Sequence, residues 1–88
     1  MWSVQRVMNK YDPLSIYLNH LTETYIELSF EQIESILKTN LPVSARTIRQ
    51  WWSNDQTSHV QSRDGWLCVG WRIVHVDLHR EIVVFAHE

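Results

Sequence analysis

From Trp71 onward the hydrophobic spacing of this chain changes from a helical repeat to alternation, and that change limits the possible architectures more than any other feature. Val74, Val76 and Leu78 alternate with His75, Asp77 and His79, the period of a strand with one face turned to a core. Ile82 to Ala86 is a continuous apolar run and reads as a second strand, returning across a turn at His79-Arg80. That turn lacks the Asn-Gly or Asp-Gly pair that pins a two-residue hairpin, so the register stays open. Upstream the period is helical. Helices gathered ahead of a C-terminal β-hairpin place the chain in the α+β class, with three to four short helices packed on a small antiparallel sheet.

Local signals mark the helices. Asp12-Pro13 offers an N-cap and a first helical residue, and Leu14, Tyr17, Leu18 and Leu21 follow as a core-facing stripe ending near Leu21. Tyr25 to Leu28 reads as one brief strand. Ser29 and Gln32 are spaced as a capping box, with Leu28 and Ile33 at staple positions. Thr39 to Pro42 breaks that second helix. A third is expected from a Ser44 cap to Asn54, and a fourth from a Ser62 cap, weakened by Gly65 and stopped at Gly70. Residues 1–10 read as a lead-in and residues 11–88 as a single domain.

Composition narrows the function classes. With 44% hydrophobic and 20% charged residues, the chain belongs with globular domains. Its five tryptophans, three tyrosines and two phenylalanines each remove roughly 150–250 Å² from water when buried, enough to dominate a small core. One cysteine, Cys68, excludes an intrachain disulfide and fits a reducing, cytoplasmic setting. Lying between Leu67 and Val69, it reads as an inert apolar residue. No stretch is long and apolar enough to span a bilayer. The formal net charge of −2 hides an asymmetry. Residues 1–40 hold three cations and five carboxylates, whereas residues 41–80 hold five arginines and three carboxylates. That bias permits an anionic partner without requiring one.

The stretch SARTIRQWWSN, Ser44 to Asn54, poses the functional question. Adjacent helical residues point about 100° apart, so Trp51 and Trp52 cannot share one apolar stripe. Ala45, Ile48 and Trp52 form the core face, and Trp51 falls at its boundary. Arg46, Arg49, Gln50 and Ser53 occupy the rest. A helix, a break and an arginine-bearing helix followed by a hairpin suggest a winged-helix-like arrangement, in which guanidiniums engage phosphates or base edges and Trp51 stacks. The break from Lys38 to Val43 is longer than a helix-turn-helix turn. His75 and His79 share a strand face with Asp77, but no metal-ligand spacing is present. Cys68 has no partner base in sequence, Glu31 and Glu34 read as a solvated helix face, and no glycine loop could cradle phosphate.

Several blocks together resemble a family of small uncharacterised bacterial, archaeal and phage domains. They are Tyr11-Asp12-Pro13-Leu14, Leu28-Ser29-Phe30 with Ile33, Leu41-Pro42 with Ser44-Ala45-Arg46, Trp51-Trp52 with Asn54, His59 with Gln61, Trp66-Leu67 and Gly70-Trp71. The resemblance runs from Tyr11 to Phe85 and implies a domain of unknown function. It draws attention to Ser44, Arg46, Trp51, Asn54, His59 and Gln61. The expectation is a non-enzymatic module without cofactor or metal that contacts nucleic acid, DNA by class, through Arg46, Arg49, Gln50, Trp51 and Asn54, joined by His59, Gln61 and Arg63. The alternative is a protein-interaction module, such as a phage or mobile-element inhibitor of a host defence enzyme. The outer strand of the hairpin could pair two copies into a homodimer.

Overall fold

The computed structural model describes residues 9–87; residues 1–8 of the expected lead-in lie outside them. Helix α1 is Asp12–Asn19, strand β1 Tyr25–Ser29, helix α2 Phe30–Leu37 and helix α3 Val43–Thr47. A 3-10 turn, Arg49–Trp52, follows α3. Helix α4 is Val60–Gly65, a second 3-10 turn is Leu67–Val69, and strands β2 Trp71–Asp77 and β3 Ile82–His87 end the described chain. The fold is α+β, with four helices among the described residues and a three-stranded antiparallel sheet ordered β1-β3-β2. No helix among the described residues is long and apolar enough to cross a membrane.

Where local chemistry is strong, it sets the element boundaries. The capping box forms in full: Gln32 N–H donates to Ser29 Oγ at 3.0 Å and Ser29 N–H to Gln32 Oε1 at 2.8 Å. Gly70 closes the second 3-10 turn at φ +83°, a left-handed conformation in which an added Cβ would meet the His87 ring at 3.1 Å. Elsewhere the caps shift. Tyr11, rather than Asp12, holds the N-cap of α1, and the Asp12 carboxylate accepts from Asn9 N–H at 3.0 Å. Helix α1 also stops two residues short of Leu21, leaving Tyr17 on its exposed side. Pro42 precedes α3, so Ser44 lies inside the helix, and α4 starts at Val60 with His59 at its cap. Ser62 is buried within α4, its hydroxyl donating to Ser53 O.

The hairpin departs from simple alternation at one residue. Ile73 pairs with Phe85 and His75 with Val84, which leaves Val74 as the extra residue of a bulge. The inward face of β2 is therefore Trp71, Ile73 and Val76, while Val74 is 45% exposed. The expected stripe of Val74, Val76 and Leu78 is corrected by that one-residue slip.

The core lies between the inner sheet face and the helices. Leu14 and Leu18 of α1, Phe30 and Ile33 of α2, and Val83 and Phe85 of β3 are all essentially closed to solvent. A run of rings ties the layers together. Phe30 stacks on Trp52 at 5.2 Å, Trp52 on Trp66 at 6.2 Å, and Trp66 meets Phe85 edge-on at 5.9 Å. Offset and edge-on ring pairs add about 0.5–1.5 kcal/mol each beyond their area burial.

Candidate functional site

The stretch expected as one helix from Ser44 to Asn54 is broken at Ile48, which is extended (φ −125°, ψ 112°). In a continuing helix Ala45 O would accept from the amide four residues on. Instead it accepts the indole N–H of Trp52 at 2.7 Å. Arg49 then reaches the neighbouring strand, donating through Nη1 to Val76 O. With the helix broken the i, i+3 stripe no longer holds, and Ile48 is 50% exposed rather than core. Trp52 remains buried. Trp51 is half-buried, edge-on to Tyr11 at 5.9 Å and to Trp52 at 4.6 Å.

Arg46 is engaged within the fold. Its Nη2 meets Glu34 Oε2 and its Nη1 meets Glu81 Oε2, both at 2.7 Å, and its guanidinium lies over the Phe30 ring at 5.6 Å. Glu34 also accepts Leu41 N–H at 2.8 Å. That amide, and then Arg46, hold the Glu34 carboxyl below its usual range, while Glu34 and then Glu81 push the Arg46 guanidinium up. This knot ties α2, α3 and the β2–β3 turn together, so Glu34 is a structural anchor rather than part of a solvated face. Glu81 serves it from a left-handed conformation, φ +59°.

Asn54 is also bound into the framework. Its Oδ1 accepts from Trp66 Nε1 and from Ile73 N–H, both at 2.9 Å, and its Nδ2 donates to Ile73 O at 2.8 Å. The side-chain amide therefore pairs with Ile73 as a neighbouring strand would. Together with Arg49 on Val76 O, it occupies the outer edge of β2, the edge expected to be open to a second copy. Gln61 is buried and donates to Trp51 O at 2.9 Å, and Arg63 pairs with Asp64 at 3.1 Å.

His59 lies beside Ser53 and Asp55, a set of residue types that invites comparison with a catalytic triad. Both contacts fall on the same nitrogen, Nδ1, at 3.4 Å from Ser53 Oγ and 3.5 Å from Asp55 Oδ2. A relay needs the acid on one ring nitrogen and the nucleophile on the other. Among the described residues no group of three His, Cys, Asp or Glu could hold a metal ion. Cys68 is exposed, not enclosed as its apolar neighbours suggest, and its Sγ lies 3.5 Å from Asp64 O.

Asp55 instead organises the loop before α4. Its Oδ1 accepts from Ser58 N–H at 3.0 Å and from the hydroxyl and N–H of Thr57, each at 2.9 Å. The Ser58 amide, followed by Thr57, holds the carboxyl down at about 2 against an ordinary 3.8. A depressed folded-state value stabilises the fold fully above the unfolded value and ceases to do so as pH falls through the folded one. Stability is therefore expected to decline between about pH 4 and pH 2, and Asp55→Asn should flatten part of that slope. Thermal melts across this range check it; identical slopes in the two proteins would rule out the contribution.

A groove of about 400 Å³ lies between the broken helix and the outer strand. One wall is Arg49, Gln50, Trp52, Ser53 and Asn54; the other is Ile73 to Val76. Among the described residues no carboxylate lines it. Of the expected site residues, Arg49, Gln50 and Asn54 meet here, whereas Arg46, Trp51, His59, Gln61 and Arg63 do not line it. Val74 and His75 are the residues sequence reasoning missed. The bulge that turns Val74 outward leaves no local mark, and His75 reads simply as the solvent side of a strand.

Residues 11–88 match the family model described as a domain of unknown function, DUF7662, and the chain belongs to that family. No curated protein and no solved structure matches it.

Proposed function

We propose that this DUF7662 member is a non-enzymatic binding module that takes a segment of a protein partner in the groove beside β2. The observation that carries this reading is the lining of the groove: three aliphatic strand residues and His75 on one wall, a single guanidinium and amide groups on the other, and no acid among the described residues. Small concave sites of about 300–1,000 Å³ with a few convergent polar groups are the usual form of a recognition pocket. A protein surface suits it better than a nucleic-acid backbone. Phosphate binding calls for several clustered cations, and the ion pairs at Arg46 and Arg63 withdraw two of those expected to contribute.

Nucleic-acid binding is retained as a second reading on one observation. Apart from the inserted α4, the order helix, strand, two helices and hairpin, with β3 between β1 and β2, matches the arrangement of a winged helix. A single comparison separates the readings. Val74→Glu places a carboxylate in the groove at an exposed position. It is expected to abolish capture of displayed peptides by the wild-type module while leaving the fold intact. If the wild type captures no peptide but binds duplex or single-stranded DNA with a steep salt dependence, the protein reading falls.

A further inference from the structure

We infer that the segment taken by the groove presents an aspartate or glutamate side chain next to an aliphatic one, a reading that rests on the groove being the binding surface. The positive element is Arg49. It is exposed, takes part in none of the ion pairs among the described residues, and spends one Nη1 donor on Val76 O. A guanidinium has five donors in a planar fork matched to a carboxylate, so the strand fixes its position and leaves most of that fork unspent. Among the described residues the only other ionisable side chain of the lining is the exposed imidazole of His75. Arg49 thus has no opposing carboxylate in that lining, and its complement is an anion.

The aliphatic component follows from the bulge. In a regular strand Val74 and Val76 would share a face; the slip between Ile73 and His75 keeps Val76 inward and leaves Val74 outward, in the groove, 45% exposed. An apolar surface next to an unspent guanidinium suits a partner residue pair of the same kind.

The outer edge of β2 also limits how the segment binds. Asn54 takes both backbone groups of Ile73, and Arg49 takes Val76 O. Strand addition, in which backbone hydrogen bonds supply the affinity, is blocked at those positions, so side chains carry recognition. Nucleotide stacking has little to work with, because Trp52 is 2% exposed.

The test is selection from a displayed library of random eight-residue segments, flanked at both ends so that carboxylates come only from side chains. Wild-type protein is expected to enrich segments with Asp or Glu beside Leu, Ile or Val. Arg49→Gln should weaken the enriched segments about tenfold or more, the usual scale for a charge-assisted hydrogen bond, whereas Arg63→Gln, outside the groove, should not. Val74→Glu supplies an independent arm should Arg49→Gln fail to fold, and it should weaken them at least as much. Enrichment that Val74→Glu abolishes but that shows no acidic preference, or that Arg49→Gln leaves unchanged, overturns the carboxylate inference and keeps the groove. Enrichment unaffected by Val74→Glu overturns both.

Discussion

Replacing Asn54 with alanine is expected to cost about 2–4 kcal/mol of stability, far more than its position on an exposed loop suggests. The side chain makes three hydrogen bonds, to the Trp66 indole and to both backbone groups of Ile73. A net bond is worth about 0.5–1.5 kcal/mol, and a donor left without a partner in a part-buried setting costs more. Asn54→Asp should not rescue it. A carboxylate accepts from the two N–H groups but turns an acceptor toward Ile73 O where the amide donates. Domains of this kind carry about 5–15 kcal/mol in all, so both variants should unfold at clearly lower urea. If Asn54 were a ligand contact exposed to water, the change would stay within about 0.5 kcal/mol. Urea titration followed by far-UV circular dichroism decides between the two.

The second large effect is expected at Trp52. Truncation to alanine removes a ring stacked between Phe30 and Trp66 and a 2.7 Å bond from its indole to Ala45 O. Buried Trp-to-Ala changes cost about 3–5 kcal/mol, a large share of that total. Trp51→Ala should cost less than half as much, because that ring is only half-buried against Tyr11 and Trp52. Side-by-side thermal melts check the ratio. Equal losses would mean that the two indoles are equivalent parts of the core, contrary to the geometry that separates them.

Local chemistry made much of this architecture readable. The Ser29–Gln32 box and the apolar run of β3 each depend on residues within a few positions of one another, and each formed in place; Gly70 is a stop too, though of the 3-10 turn after α4, which itself ends at Gly65. What stayed hidden is long-range. Arg46 reads as a free cation on a helix until Glu81, 35 residues away, is brought beside it. Asn54 reads as a polar contact at the end of a helix until Ile73 is placed opposite. The break at Ile48 has no helix-breaking residue; it follows from Trp52 claiming Ala45 O and Arg49 claiming Val76 O, bonds that exist only once the strand is present. The groove inherits the same difficulty, since it lies between segments about 20 residues apart and depends on a bulge that sequence spacing does not announce.

The position of β3 also sets a timetable. Among the described residues both β1 and β2 pair only with residues 82–87, so during synthesis a completed first strand waits for residues 30–81 before its neighbour emerges from the ribosome. Closing so long a loop before any sheet contact repays it is slow. A nascent chain halted before Ile82 would lack the segment that pairs with both other strands.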